Sequence, residues 1–257
     1  MNRLREQAAR LVTSFLIRSL ARINPKATYR VGPDGASALF EGRWYRYNPD
    51  EYGCTGNIDY VTEAENATRQ HLFGLLKAGQ TVFDIGAHGG VYTISLIDHG
   101  ATVHSFEPQP EELLANLALN GLSSDRVHAV ALGDKPGTVK MTTKERSSNH
   151  ISEHGDRSVT LARLDEIALP DPHWIKIDIE GMELPALKGA EQLLRRSHPT
   201  IICEINHISG RYGTRVEDLT GYLGSLGYEI HALRDGKLVP IKGNELPASA
   251  DNNYWFK

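Results

Sequence analysis

The sequence predicts an α/β protein built on a doubly wound, mostly parallel sheet, with an antiparallel C-terminal edge and an N-terminal helical and β extension. Three observations predict it. An apolar strand, Val82 to Ile85, runs straight into a glycine-rich turn. From Thr81 onward, short β-branched runs alternate with helical stretches, the pattern of repeated βαβ units. The tail then returns to strand pattern at Glu229 to Leu233 and Tyr254 to Phe256, fit to close the sheet in antiparallel fashion.

The elements follow in order. Strand-like runs lie at Val82 to Ile85, Thr102 to Phe106, Val127 to Leu132, Trp174 to Ile179 and Ile201 to Ile205. Tyr92 to His99, Glu111 to Leu119 and Leu184 to Arg195 have helical length and apolar spacing, which implies right-handed crossovers between parallel strands. Thr138 to Thr143 and Val159 to Ala162 read instead as a hairpin around a polar loop, Lys144 to Arg157, placed to face a ligand. Ahead of the sheet, Glu63 to Lys77 reads as a helix stopped by Gly79, and Ala27 to Tyr47 as short strands broken by turns. The chain thus divides into an extension over 1–78 and a ligand-binding domain over 79–257.

Composition narrows the classes of function. The 28 basic and 32 acidic residues give a net charge of -4, so no overall positive field exists to hold a phosphate backbone, and nucleic acid is not an expected partner. Only Cys54 and Cys203 occur, in unlike contexts, which suggests neither a disulfide framework nor a zinc cluster and fits a reducing, cytoplasmic setting. In the first thirty residues, Arg3, Arg5, Arg10, Arg18 and Arg22 surround Leu11, Val12, Phe15, Leu16, Ile17 and Leu20. The run is too interrupted for the ~20 apolar residues of a membrane span. It reads as an amphipathic helix that packs on its own domain, with contact to an anionic membrane surface as the less favoured alternative.

Val82-Phe83-Asp84-Ile85-Gly86-Ala87-His88-Gly89-Gly90 has the physics of a nucleoside site. Glycines let backbone approach a ligand, and the helix N-terminus behind them offers unpaired N–H groups at the carboxyl edge of the sheet. A dinucleotide fingerprint would need glycine where His88 stands, which tells against a nicotinamide cofactor and its oxidoreductase chemistry. Asp84, Gly86 and Gly90 instead resemble the first motif of class I methyltransferases, which implies S-adenosylmethionine, with Asp84 near the methionine ammonium. Glu107 ends the second strand 23 positions after Asp84 (107 minus 84), where a carboxylate can accept hydrogen bonds from both ribose hydroxyls.

The residues from about Thr81 to Asn206 are similar to those of the FkbM family of methyltransferases. The likeness rests on Phe83 to Gly90, Phe106-Glu107-Pro108, Asn116 to Leu122, Ala131-Leu132-Gly133-Asp134, Leu164-Asp165, Ile175 to Glu183 and Leu187-Lys188-Gly189-Ala190. His88 stands where the family often has asparagine. The resemblance implies a class I (Rossmann-like) fold and O-methylation of hydroxyls on sugars and other natural products. It also implies cofactor contacts from Asp84, Gly86, Ala87, His88, Gly90, Glu107, Pro108 and Asp178, with Ala131 and Leu132 walling the adenine.

Ile175-Lys176-Ile177-Asp178-Ile179-Glu180-Gly181 carries unusual charge for a core strand, and buried charge needs partners. Period-two alternation would put Lys176, Asp178 and Glu180 on one face. Methyl transfer from a sulfonium needs an aligned nucleophile and one base. Asp178 is the first candidate for that base, Glu180 the second and His207 the third. An ion pair between Lys176 and Asp178, with Glu180 capping the next helix, is the structural alternative. Asp178, Glu204 and Asn206 also resemble in placement the oxygen ligands of metal-assisted, catechol-type methyltransferases; a metal is the minority reading. Acceptor selection is expected near Tyr45 to Tyr60, Ser147 to His150, and His207 to Tyr212, the acceptor being a small molecule. The pattern also allows a homodimer.

Overall fold

The computed structural model describes residues 28–32, 35–47, 66–143, 149–205, 211–242, 246 and 252–257. The Arg-rich N-terminal stretch, Tyr52, Tyr60, Asn206 and His207 lie outside them. Thr28–Gly32 (β1), Gly35–Phe40 (β2) and Arg43–Tyr47 (β3) form a separate three-stranded antiparallel sheet. The helix Asn66–Leu75 (α1) leads into Thr81–Ile85 (β4) and ends short of the expected Lys77; left-handed Gly79 sits instead in the turn between them, where the Gln80 N–H donates to the Lys77 carbonyl.

The main domain continues through Val91–Asp98 (α2), Thr102–Phe106 (β5), Glu111–Leu119 (α3), Val127–His128 (β6), Ala131–Leu132 (β7), Gly137–Met141 (β8) and Arg157–Ala162 (β9). Then follow Trp174–Ile177 (β10), Glu183–Lys188 (α4), Glu191–Ser197 (α5), Thr200–Glu204 (β11), Val216–Ser225 (α6), Ile230–Arg234 (β12), Lys237–Pro240 (β13) and Asn253–Phe256 (β14). The eight-stranded sheet has the order β13-β12-β14-β11-β10-β4-β5-β6. From β11 to β6 the strands are parallel; β14, β12 and β13 complete it in antiparallel fashion. This is the doubly wound sheet the alternation predicts. Strand order reverses between β4 and β10, the switch point where such sheets bind ligands beyond their carboxyl ends.

The sheet is buried on both faces, so its central strands read as continuous apolar runs. Phe83, Ile85, Ile175, Ile177, Ile201 and Cys203 face one core with Leu187, Leu194 and Leu223. Val82, Val103, Ile202 and Trp255 face another with Leu72, Tyr92 and Leu96. A third cluster, Tyr29, Ala38, Tyr45, Ile94, Leu113 and Leu117, joins the small N-terminal sheet to α2 and α3. Among the described residues no helix is long and apolar enough to cross a membrane.

Three elements differ from the sequence reading. The expected strand Val127 to Leu132 is two: β6 pairs with β5 at the sheet edge, whereas β7 turns away and pairs in parallel with β9 of the β8–β9 hairpin. The expected helix Leu184 to Arg195 breaks at Gly189, where an added Cβ would lie 2.0 Å from the Gly133 carbonyl oxygen. The second piece is capped from a distance, Asp165 accepting from the N–H groups of Gln192 and Leu193. The strand beginning at Trp174 ends at Ile177, so the alternation expected to carry Lys176, Asp178 and Glu180 on one face stops short of Glu180.

Candidate active site

The glycine turn is shaped by close packing. Gly86 (φ 86°) and Gly90 (φ 83°) occupy left-handed backbone, and Gly90 caps α2. A Cβ on Gly86 would stand 1.8 Å from the carbonyl oxygen of Asp178, so the turn after β4 and the loop after β10 touch backbone to backbone. His88 takes the same conformation (φ 46°) without glycine's freedom, which costs of order 1 kcal/mol and persists only where neighbours hold it.

One of those neighbours is Glu107, 8% exposed at the end of β5. Its Oε2 accepts the His88 N–H at 2.9 Å, and its Oε1 accepts the Gln109 N–H at 2.9 Å. Burial pushes this carboxyl up, against the two backbone donors. Each oxygen keeps another lone pair, so the group is aimed and still able to accept from a diol. The residues thus fit the nucleoside end of S-adenosylmethionine.

Asp84 sits deeper than the sequence implies. It is 1% exposed, and its Oδ2 accepts from Thr93 Oγ1 of α2 at 2.5 Å. Thr93 Oγ1 also meets Ser105 Oγ at 2.8 Å, and in register Asp84 lies between Lys176 on β10 and Ser105 on β5. Burial raises the Asp84 carboxyl, and the Lys176 ammonium opposes that rise. The role this geometry displays is to tie the sheet to the first turn of α2. Nothing in the sequence marked Thr93.

Lys176, 4% exposed, extends along the same face, its Nζ 2.9 Å from Asp178 Oδ2 and 5.0 Å from the ring centroid of Tyr92. Asp178 also hydrogen-bonds the Glu204 carboxyl, because Ile177 pairs with Cys203 and the next residues emerge side by side. Burial works to raise Asp178, yet the Lys176 ammonium and these hydrogen bonds hold it below the usual carboxylate range. The ion pair foreseen as the structural alternative is therefore present, but Glu180 does not cap the helix.

Glu183 does. Its Oε1 accepts from the N–H groups of Ile179 and Gly181, fixing the loop between β10 and α4. In that loop Glu180 adopts φ 58° and Gly181 φ 106°. The Glu180 side chain is 18% exposed, and among the described residues its Oε2 is buried with no hydrogen-bond partner. Arg211 lies 4.0 Å from that oxygen and donates to the Glu180 carbonyl. Burial, then the Asp178 charge, pushes the Glu180 carboxyl up to about 7. Two carboxylates in one loop thus differ in protonation, the usual mark of divided roles.

The segment joining β8 to β9 makes contacts to residues that follow both β5 and β11. Gln109 Nε2 donates to the Thr142 carbonyl and Asn149 Nδ2 to Gln109 Oε1, while Tyr212 OH donates to the Ile151 carbonyl. Gln109 follows β5 and Tyr212 comes later in the chain than β11, the strands that flank β4 and β10 in sheet order. Ala131 and Leu132 are buried on β7, Leu132 within the main core and Ala131 with Met141, Val159 and Leu161. Ala87 packs in the cluster shared with α3, and Pro108 is half-buried beside Glu107. Asn206, third of the metal alternative, and His207, third candidate base, fall outside the described residues. Among those described, no three His, Cys, Asp or Glu side chains converge as metal ligands.

The chain is similar to known proteins. The curated 31-O-demethyl-FK506 methyltransferase FkbM of Streptomyces tacrolimicus is 25% identical over 204 residues, 62% of this chain and 76% of that protein. Among solved structures, methyltransferase FkbM of Methylobacillus flagellatus matches with a TM-score of 0.47 and 21% identity, over 78% of this chain and 52% of that one. The chain therefore spans about half the length of the Methylobacillus protein. The tRNA (uracil-54, C5)-methyltransferase of Pyrococcus abyssi, solved with S-adenosyl-L-homocysteine, matches with a TM-score of 0.46 and 12% identity, over 86% of this chain and 42% of that one. The family model described as methyltransferase FkbM domain matches residues 84–230, more than half of the 257, and the chain belongs to the FkbM methyltransferase family.

Proposed function

We propose that the protein is an S-adenosylmethionine-dependent O-methyltransferase that acts on a hydroxyl of a small acceptor, a sugar or another natural product. The observation that carries the cofactor reading is Glu107, whose oxygens are aimed by His88 and Gln109 N–H groups beside a left-handed glycine turn. When bound, S-adenosylmethionine supplies an electrophilic methyl group on sulfur. Glu107 holds the ribose hydroxyls, and the turn from Gly86 to Gly90 receives the rest of the nucleoside and the methionine.

Proton removal falls to Glu180. General bases work best with a pKa near the operating pH, and Glu180 is pushed up to about 7 while Asp178 is held ionised by Lys176. Its Oε2, without a hydrogen bond among the described residues, is the atom that takes the acceptor's proton. Asp178 keeps a fixed negative charge near the reaction centre, and Arg211 orients the Glu180 loop. The relative named 31-O-demethyl-FK506 methyltransferase supports oxygen as the atom modified. The hairpin clasped by Gln109 and Tyr212 supports an acceptor held beneath it.

Calorimetric titration with S-adenosylhomocysteine tests the cofactor half. Binding is expected for the native protein and a loss of at least tenfold for Glu107→Ala; absence of binding to the native protein overturns the reading. A mass-based screen of hydroxylated acceptors tests the other half, a methylated amine or carboxylate as the only product being the outcome that refutes O-methylation.

A further inference from the structure

Asn116 is buried in α3, far in sequence from the glycine turn, yet its side chain has two distinct attachments. Its Nδ2 donates to the Gly89 carbonyl at 2.8 Å, and its Oδ1 accepts the Arg46 N–H of β3 at 2.8 Å. One turn later the Asn120 side chain meets the same strand: Oδ1 accepts the Trp44 N–H at 2.8 Å, and Nδ2 donates to the Trp44 carbonyl at 2.6 Å and to the Asn116 carbonyl at 2.7 Å. Spacing of i and i+4 puts both amides on one helix face. They serve β3 as a neighbouring strand would, satisfying the backbone groups on the edge that β2 leaves open.

The turn is held at adjacent residues by two side chains. Glu107 takes the His88 N–H and Asn116 takes the Gly89 carbonyl. His88 is in left-handed backbone, a conformation that reverts unless its surroundings over-determine it. An asparagine at this point supplies what neither Asp nor Leu can, a donor toward Gly89 and an acceptor toward β3 at once.

We propose that Asn116 is a positioning residue for the cofactor site, setting the geometry of the His88-Gly89 turn and linking it to the docked N-terminal sheet. The proposal rests on the reading of that turn as the S-adenosylmethionine site. Asn120 docks the same strand without touching the turn, which supplies an internal control.

The test compares the native chain with Asn116→Asp, Asn116→Ser and Asn120→Ala. Asn116→Asp keeps the acceptor for Arg46 but sets an oxygen against the Gly89 carbonyl; Asn116→Ser is the milder change should Asn116→Asp fail to fold. Titration with S-adenosylhomocysteine should be weakened about tenfold or more in the Asn116 variants and stay within about twofold in Asn120→Ala, although all three melt lower. Amide exchange in the free protein provides a readout independent of the ligand. Exchange at 88–90 should accelerate in the Asn116 variants and not in Asn120→Ala. Equal affinities, or equal exchange, in the Asn116 and Asn120 variants overturns the proposal. If the native chain binds no S-adenosylhomocysteine, the cofactor reading fails, and the exchange comparison still decides whether Asn116 positions the turn.

Discussion

The ammonium of Lys176 lies 2.9 Å from Asp178 Oδ2, with the cation 4% exposed and the anion 27%. The pair spans the end of β10, so a charge buried in the sheet governs a carboxylate just beyond the strand's carboxyl end. Asp84, beside Lys176 in register, shares the same cation.

Lys176→Met tests that dependence. It keeps the stem against Tyr92 but leaves Asp178 and Asp84 without their cation. Because removing one partner of a buried pair is strongly destabilising, a loss of about 3 kcal/mol is expected, the low end of that range since Asp178 is partly exposed. Urea unfolding measures it; an unchanged midpoint would show that the pair contributes nothing.

Activity should rise with pH through about 7, where Glu180 loses its proton. The sign follows from its role: a base must be ionised to accept the acceptor's proton. Glu180→Gln should lower kcat by about 10²–10⁴-fold and remove that limb of the profile. A limb that survives in Glu180→Gln assigns the base elsewhere.

His104 Nδ1 and His128 Nε2 meet at 3.1 Å between β5 and β6, and His128 stacks on Phe106. Burial lowers both rings, and for His104 the neighbouring His128 adds to it. The folded state therefore binds these protons less readily than the unfolded chain, whose histidines titrate near about 6.5. Their contribution to stability is present above that value and is lost as pH falls through the folded values. Denaturant midpoints at pH 8 and 5.5 should differ, and the difference should shrink in His128→Phe.

Gly86→Ala should be among the most damaging single changes. The new Cβ would meet the Asp178 carbonyl in left-handed backbone, and strain and overpacking each cost about 1–3 kcal/mol. Gly137→Ala, with nothing within 4 Å of its Cβ, should stay within about 0.5 kcal/mol. Thermal denaturation of the two variants distinguishes a positional requirement from a general intolerance of alanine.

Much of the frame was legible because it depends on local pattern. The runs at Thr102–Phe106 and Glu111–Leu119 form a strand and a helix over the residues expected, since side-chain periodicity reports which face is buried. The turn at Gly86 and the acid at Glu107 were legible because backbone conformation and strand ends fix what a short segment can do. What the sequence concealed depends on partners distant in the chain. Val127 to Leu132 divides because β9 offers Ala131 a second strand, and the helix after Glu183 breaks at Gly189, where the Gly133 backbone packs too close for a side chain. Charge spacing placed Lys176, Asp178 and Glu180 together, but only the fold divided them. Lys176 pairs with Asp178, Glu183 holds the loop, and Glu180 is left with a buried oxygen and a proton near neutrality. Residue order alone determined the sheet and its glycine turn; the chemistry of its carboxylates was decided by burial and proximity, which exist only once the chain has folded.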